Sequence, residues 1–109
     1  MQYQKEYLEM LAEAAKPSYT QEAIANVLKK NKYIEVPYNK IDDVAAKDEV
    51  FAETIGAIGA GKSDRIFYKK LSGDTVAFVV KKNGTVGDPS NTNWGKDIGE
   101  FFAYYNIKP

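Results

Sequence analysis

The 109-residue sequence predicts an α+β fold: N-terminal helices packed on a small antiparallel β-sheet (a meander), with a short C-terminal helix. Three observations predict it. Apolar residues recur at helical spacing as far as Ile55, strand-like alternation replaces that period after Gly56, and Asn83-Gly84 marks a hairpin. One core and one domain, residues 1–109, suit this length.

Tyr3, Tyr7, Leu11 and Ala14 predict an amphipathic helix over residues 2–15. Lys16-Pro17 ends it, because the residue before a proline is pushed out of helical geometry. Ser18 with Gln21, or Thr20 directly, caps a second helix, with Ile24, Val27 and Leu28 as its buried face and Asn31 as a left-handed stop. Tyr33–Pro37 is a short edge strand or a connector. Ile41, Val44, Phe51 and Ile55 predict a third helix over roughly 41–55, a stripe that Asp48 interrupts. Strands follow at 65–71, 75–81 and 85–87, with a turn at Ser72-Gly73-Asp74 and a two-residue turn at Asn83-Gly84, where both residues tolerate positive φ. Residues 88–93 are a loop by composition, and Ile98, Phe101, Phe102 and Tyr105 predict the closing helix. The three earlier helices are expected on one face of the sheet.

Fifteen basic and fifteen acidic residues leave no net charge, so nothing draws the whole molecule to nucleic acid or anionic lipid. The charge is unevenly spread: residues 1–53 carry −3, residues 54–96 carry +4 and residues 97–109 carry −1. Without Cys there is no disulfide or thiolate chemistry, and without His the commonest general base and metal ligand is missing. Met1 to Tyr7 is too polar for a signal peptide, and Val76–Val80 is far too short to cross a membrane. The expectation is a soluble chain in the cytoplasm of a producing or target cell, any export depending on a carrier or a fused upstream region.

Gly56-Ala-Ile-Gly-Ala-Gly61-Lys62-Ser63 matches the nucleotide-binding P-loop pattern literally. A working P-loop follows a buried strand and opens a helix whose N-terminus holds the phosphates. Here a helix precedes the motif and a strand follows, so the expectation is a glycine connector with no nucleotide and no cofactor. The basic strand is the stronger feature. Alternation puts Arg65, Phe67, Lys69 and Leu71 on one side, and Ile66, Tyr68 and Lys70 on the other. These cations either deter strand-to-strand aggregation or line a groove in which Tyr68 and Trp94 stack on unpaired bases. Trp94 is equally placed to plug the core beneath the last helix. Asn91, Thr92 and Asn93 either read base edges or satisfy their own loop.

Thr20–Leu28, Asp64–Tyr68, Val76–Val80 with Lys81-Lys82-Asn83-Gly84-Thr85-Val86, and the Asn/Thr loop together resemble the barnase–EndoU–colicin–RelE nuclease superfamily. The layout is most similar to its colicin-type and contact-dependent-inhibition toxin domains that cleave tRNA. The resemblance spans about residues 18–94 and implies a toxin-type, metal-independent endoribonuclease that acts in bacterial competition, with RNA as substrate and a cognate immunity protein as partner. Such a toxin would be delivered as part of a larger secreted protein.

RNA cleavage without a metal needs a base for the 2′-hydroxyl, an acid for the leaving oxygen and cations for the phosphate. With no His, the candidate catalytic residues are Lys62, Arg65, Tyr68, Lys70 and Thr92, with Arg65 as phosphate clamp because it cannot act as a base. Lys69, Lys81, Lys82, Asn91, Asn93 and Trp94 are the candidate RNA-binding set. A second reading is a small non-enzymatic binding protein, an immunity protein or inhibitor, whose acidic helical residues (Glu6, Glu9, Glu13, Glu22, Asp42, Asp43) meet a basic partner. A third is an accessory module of a larger assembly.

Overall fold

The computed structural model describes residues 19–91, 94 and 97–109. The helix expected over 2–15 lies outside them, as do Ser18, Thr92 and Asn93. In chain order the described elements are α1 (Gln21–Lys30), β1 (Ile34–Val36), a 3-10 turn (Tyr38–Lys40), α2 (Ile41–Ala45), α3 (Glu49–Ile58), β2 (Arg65–Leu71), β3 (Asp74–Val80), β4 (Val86–Gly87) and α4 (Ile98–Tyr104). The strands form one antiparallel sheet in the order β1-β2-β3-β4. This is the α+β meander with a short C-terminal helix that the periodicity predicts.

The helices cover both faces of that sheet, not one. Phe67, Phe78, Val80 and Val86 point to one side and are buried against Ile24 and Leu28 of α1 and Ile98, Phe101 and Phe102 of α4. Ile66, Ala77 and Val79 point to the other side, against Ile41 of α2 and Phe51 of α3. Ala77 to Val80 is accordingly buried without interruption, the mark of a strand covered on both faces.

Local chemistry moves several boundaries. The helix expected over 41–55 is two helices, because the Asp48 side chain accepts the Phe51 N–H at 3.0 Å and starts α3 afresh as its N-cap. Thr20 caps α1, accepting from Ala23 N–H at 3.1 Å. The left-handed residue after α1 is Lys32 (φ 72°), one beyond Asn31; Tyr33 N–H reaches Leu28 O and Lys32 N–H reaches Lys29 O, which is a Schellman ending. The same ending recurs after α4, with Asn106 at φ 55° and Ile107 N–H on Phe102 O.

The tight two-residue hairpin loop is Ser72-Gly73, between the paired Leu71 and Asp74. Asn83-Gly84 sits in a longer loop, where Gly84 N–H closes on Lys81 O and only Gly84 takes positive φ, at 83°. Asn83 instead accepts from both the N–H and the hydroxyl of Thr85. Glycine at 84 is required twice over, because a Cβ there would lie 2.2 Å from the Tyr19 carbonyl oxygen.

Candidate functional site

The sheet separates the sequence-predicted catalytic residues. Arg65 lies on the α1/α4 face, where its guanidinium grips Glu35 of β1 with Nε–Oε2 at 2.7 Å and Nη2–Oε1 at 2.6 Å. Lys29 joins the same carboxylate at 3.2 Å. The Arg65 hydrogen bond above all, with Lys29 assisting against the opposing effect of burial, holds the Glu35 carboxyl below its ordinary range. Tyr68 and Lys70 lie on the opposite face, Tyr68 packing edge-on to Phe51 at 5.7 Å. Lys62 is exposed in the loop before β2. Thr92 lies outside the described residues.

Four of the six candidate RNA-binding residues are engaged in the fold. Lys69 Nζ donates to Asn31 O at 3.0 Å, across the end of α1, and lies 5.3 Å from the Tyr33 ring centroid. Lys81 Nζ donates to Gly59 O at 2.9 Å and to Asp64 Oδ2 at 3.2 Å, which caps the end of α3. Both lysines complement the negative ends of helix dipoles. Lys82 is exposed at the β3–β4 hairpin, and Asn93 is outside the described residues. Trp94 is a core plug beside α4, with its ring 6.0 Å from Phe101 and its indole N–H on Asp88 at 2.6 Å. Asn91 closes the same loop, donating its N–H to Asp88.

Asp88 organises that loop. It is 1% exposed and accepts from Ser90 N–H and hydroxyl at 2.8 Å, and from Asn91 and Trp94. Burial pushes its carboxyl up, but the donors from Trp94, Ser90, Tyr105 and Asn91 outweigh burial and hold it below the ordinary range. Burial, more than the neighbouring Asp88 charge, pushes the Tyr105 phenol up. Nothing in the composition of residues 88–93 announces a buried acid; the signal was Asp at the start of a Pro-Ser-Asn turn followed by the only Trp.

The P-loop match runs from the last turn of α3 to Ser63, just short of β2, so helix and strand stand in reverse order around it. Asp64 Oδ2 accepts the Gly61 N–H at 2.8 Å and Gln21 Nε2 donates to Ser63 O at 2.7 Å. A carboxylate therefore stands where a phosphate would need open N–H groups.

What converges is a groove on the α2/α3 face. A hollow of about 220 Å³ is lined by Asp43, Val44, Lys47, Asp48, Tyr68 and Lys70. A more open one of about 320 Å³ adjoins it through Lys70 and is lined also by Val50, Leu71, Gly73, Asp74 and Thr75. Thr75 donates to Asp48 Oδ2 at 2.7 Å between them, and that bond, with the Phe51 N–H, holds the Asp48 carboxyl low. Ile34, cross-strand from Tyr68 and so on the same face, is 55% exposed. Around the groove α2 and α3 expose Asp42, Asp43, Glu49 and Glu53 against Lys40 and Lys47. Glu49, Glu53 and Gly56-Ala57 follow helical spacing, so they form one outward row. Glu22 is on α1, across the sheet from this surface, and Glu6, Glu9 and Glu13 lie outside the described residues. Among the described residues no cluster of three or more acids is gathered as a metal site would require, and no helix is long and apolar enough to cross a membrane. No protein-family model, curated protein or solved structure matches the chain.

Proposed function

We propose that this chain is a small non-catalytic binding domain that docks a basic protein partner through the α2/α3 face. The observation that carries the reading is the employment of the cations. Of the cations a phosphate-handling site would use, Arg65, Lys69 and Lys81 are engaged by carboxylates or helix ends inside the fold, while Lys62, Lys70 and Lys82 stay exposed. Exposed acids around the groove (Asp42, Asp43, Glu49, Glu53, Asp74) outnumber the exposed lysines (Lys40, Lys47, Lys70), and Tyr68, Val44 and Ile34 supply apolar contact area beside them. Acidic rim around apolar centre is the arrangement that steers and then holds a cationic protein.

The ribonuclease reading, with RNA as substrate, would require Arg65 to leave Glu35 and to act across the sheet from Tyr68 and Lys70. Expression in a bacterial host separates the two. Growth should continue and total tRNA should stay intact. Growth arrest with tRNA fragments, abolished by Arg65→Ala in a protein that still folds, would overturn the binding reading.

A further inference from the structure

Asn31 is a meeting point of lysines from separate parts of the chain. Lys30 and Lys32 flank it, Lys69 Nζ reaches its carbonyl at 3.0 Å, and its carboxamide pairs both ways with the Lys108 backbone at 2.9 and 3.0 Å. Lys30, Lys32 and Lys108 are exposed and make no side-chain hydrogen bond or ion pair to the described residues. The ends of α1 and α4 meet here, and each calls for about half a positive charge. Four lysines exceed that need by roughly threefold to fourfold, so helix capping does not account for the cluster.

Aromatic surface adjoins it. Tyr104 is 66% exposed, with its ring 5.5 Å from that of the half-buried Trp94. Lys108 follows Tyr104 by four positions, a backbone span of at most about 14 Å. An exposed Tyr104 ring next to lysines, with Arg65 already held by Glu35, gives a stacking face and point charges but no free arginine fork for reading base edges.

We propose that this end of the molecule, Lys30, Lys32 and Lys108 with Tyr104, binds single-stranded nucleic acid, the lysines taking phosphates and the Tyr104 ring taking bases without sequence preference. The site lies on the α1/α4 side of the sheet, away from the α2/α3 groove, and does not depend on the reading of that groove.

The test is fluorescence titration of the folded protein at low salt with an oligothymidylate of about fifteen nucleotides, following the single Trp. Binding should quench Trp94, and affinity should fall with a log–log salt slope of about −2 for three phosphate contacts. The triple variant Lys30→Glu, Lys32→Glu, Lys108→Glu should weaken binding at least about tenfold with an unchanged circular dichroism spectrum. Tyr104→Ala should weaken the oligonucleotide by about fivefold or more while leaving binding of a poly-glutamate chain unaltered. The proposal is overturned if the oligonucleotide does not bind, if the triple variant binds as the parent does, or if poly-glutamate or a duplex of equal length binds as tightly.

Discussion

Single residues show how an apparent functional group can be structural. Arg65 has the placement of a phosphate clamp in the sequence, yet its bidentate bond to Glu35 ties β1 to β2 beside Lys29. Arg65→Ala should therefore cost about 1–2 kcal/mol of stability, read by urea unfolding. The Glu35 carboxyl is depressed in the fold, so its stabilisation is present above the unfolded value of about 4 and is lost as pH falls through the folded value. Glu35→Gln should flatten that acid limb; an unchanged pH profile would show that the pair contributes nothing. Asp88 follows the same sign, since its carboxyl is also held low. Asp88→Ala would leave the Trp94 indole N–H and the Ser90 backbone N–H without their carboxylate acceptor, and should cost about 3 kcal/mol or more. Gly84→Ala combines a left-handed backbone with a Cβ 2.2 Å from Tyr19 O, and should cost about 2 kcal/mol or more by thermal unfolding.

The elements were legible where a period or a cap was strong. Thr20 is one of the two caps the residues offered, the strands expected at 65–71 and 75–81 stand at 65–71 and 74–80, and the closing helix follows from Ile98, Phe101 and Phe102. The split of the 41–55 helix was visible as the interruption at Asp48, but an interruption and an N-cap look alike until the side chain is placed on Phe51 N–H. Asp48→Ala should cost about 1 kcal/mol, the usual value of a cap. The Gly56–Ser63 connector shows element order overriding motif. It leaves the C-terminal end of α3, and Lys81 and Asp64 fill its polar positions. Calorimetry with ATP or GTP should register no binding at micromolar concentration. Lys81→Met should lower the melting temperature by freeing the end of α3, whereas nucleotide binding lost in Lys62→Ala would contradict this account of the loop.

At the scale of the molecule, the sequence carried the fold class but not which face each helix covers. The signal was the run Ala77-Phe78-Val79-Val80, apolar at every position where a half-solvated strand would alternate. Charge was misleading for a related reason. Division along the chain gave an acidic first half and a basic second half, but folding places Lys30, Lys32 and Lys108 together and pairs Arg65 with Glu35 across that division. The charge asymmetry that matters is therefore between surfaces, the acidic α2/α3 face and the lysine-rich end of α1 and α4. The residues of the candidate groove come from α2, α3, β2 and β3, and only the sheet register brings Tyr68 and Lys70 beside Asp43 and Asp48.

The most direct test of the binding reading is an amide-resolved NMR titration of the isotope-labelled protein with a short arginine-rich peptide. Shift changes should concentrate at Asp42, Asp43, Lys47, Glu49, Glu53 and Tyr68, and should be lost in the variant Asp42→Lys, Asp43→Lys, Glu53→Lys. Absence of binding, or changes confined to the α1/α4 side and unaffected by that variant, would contradict it.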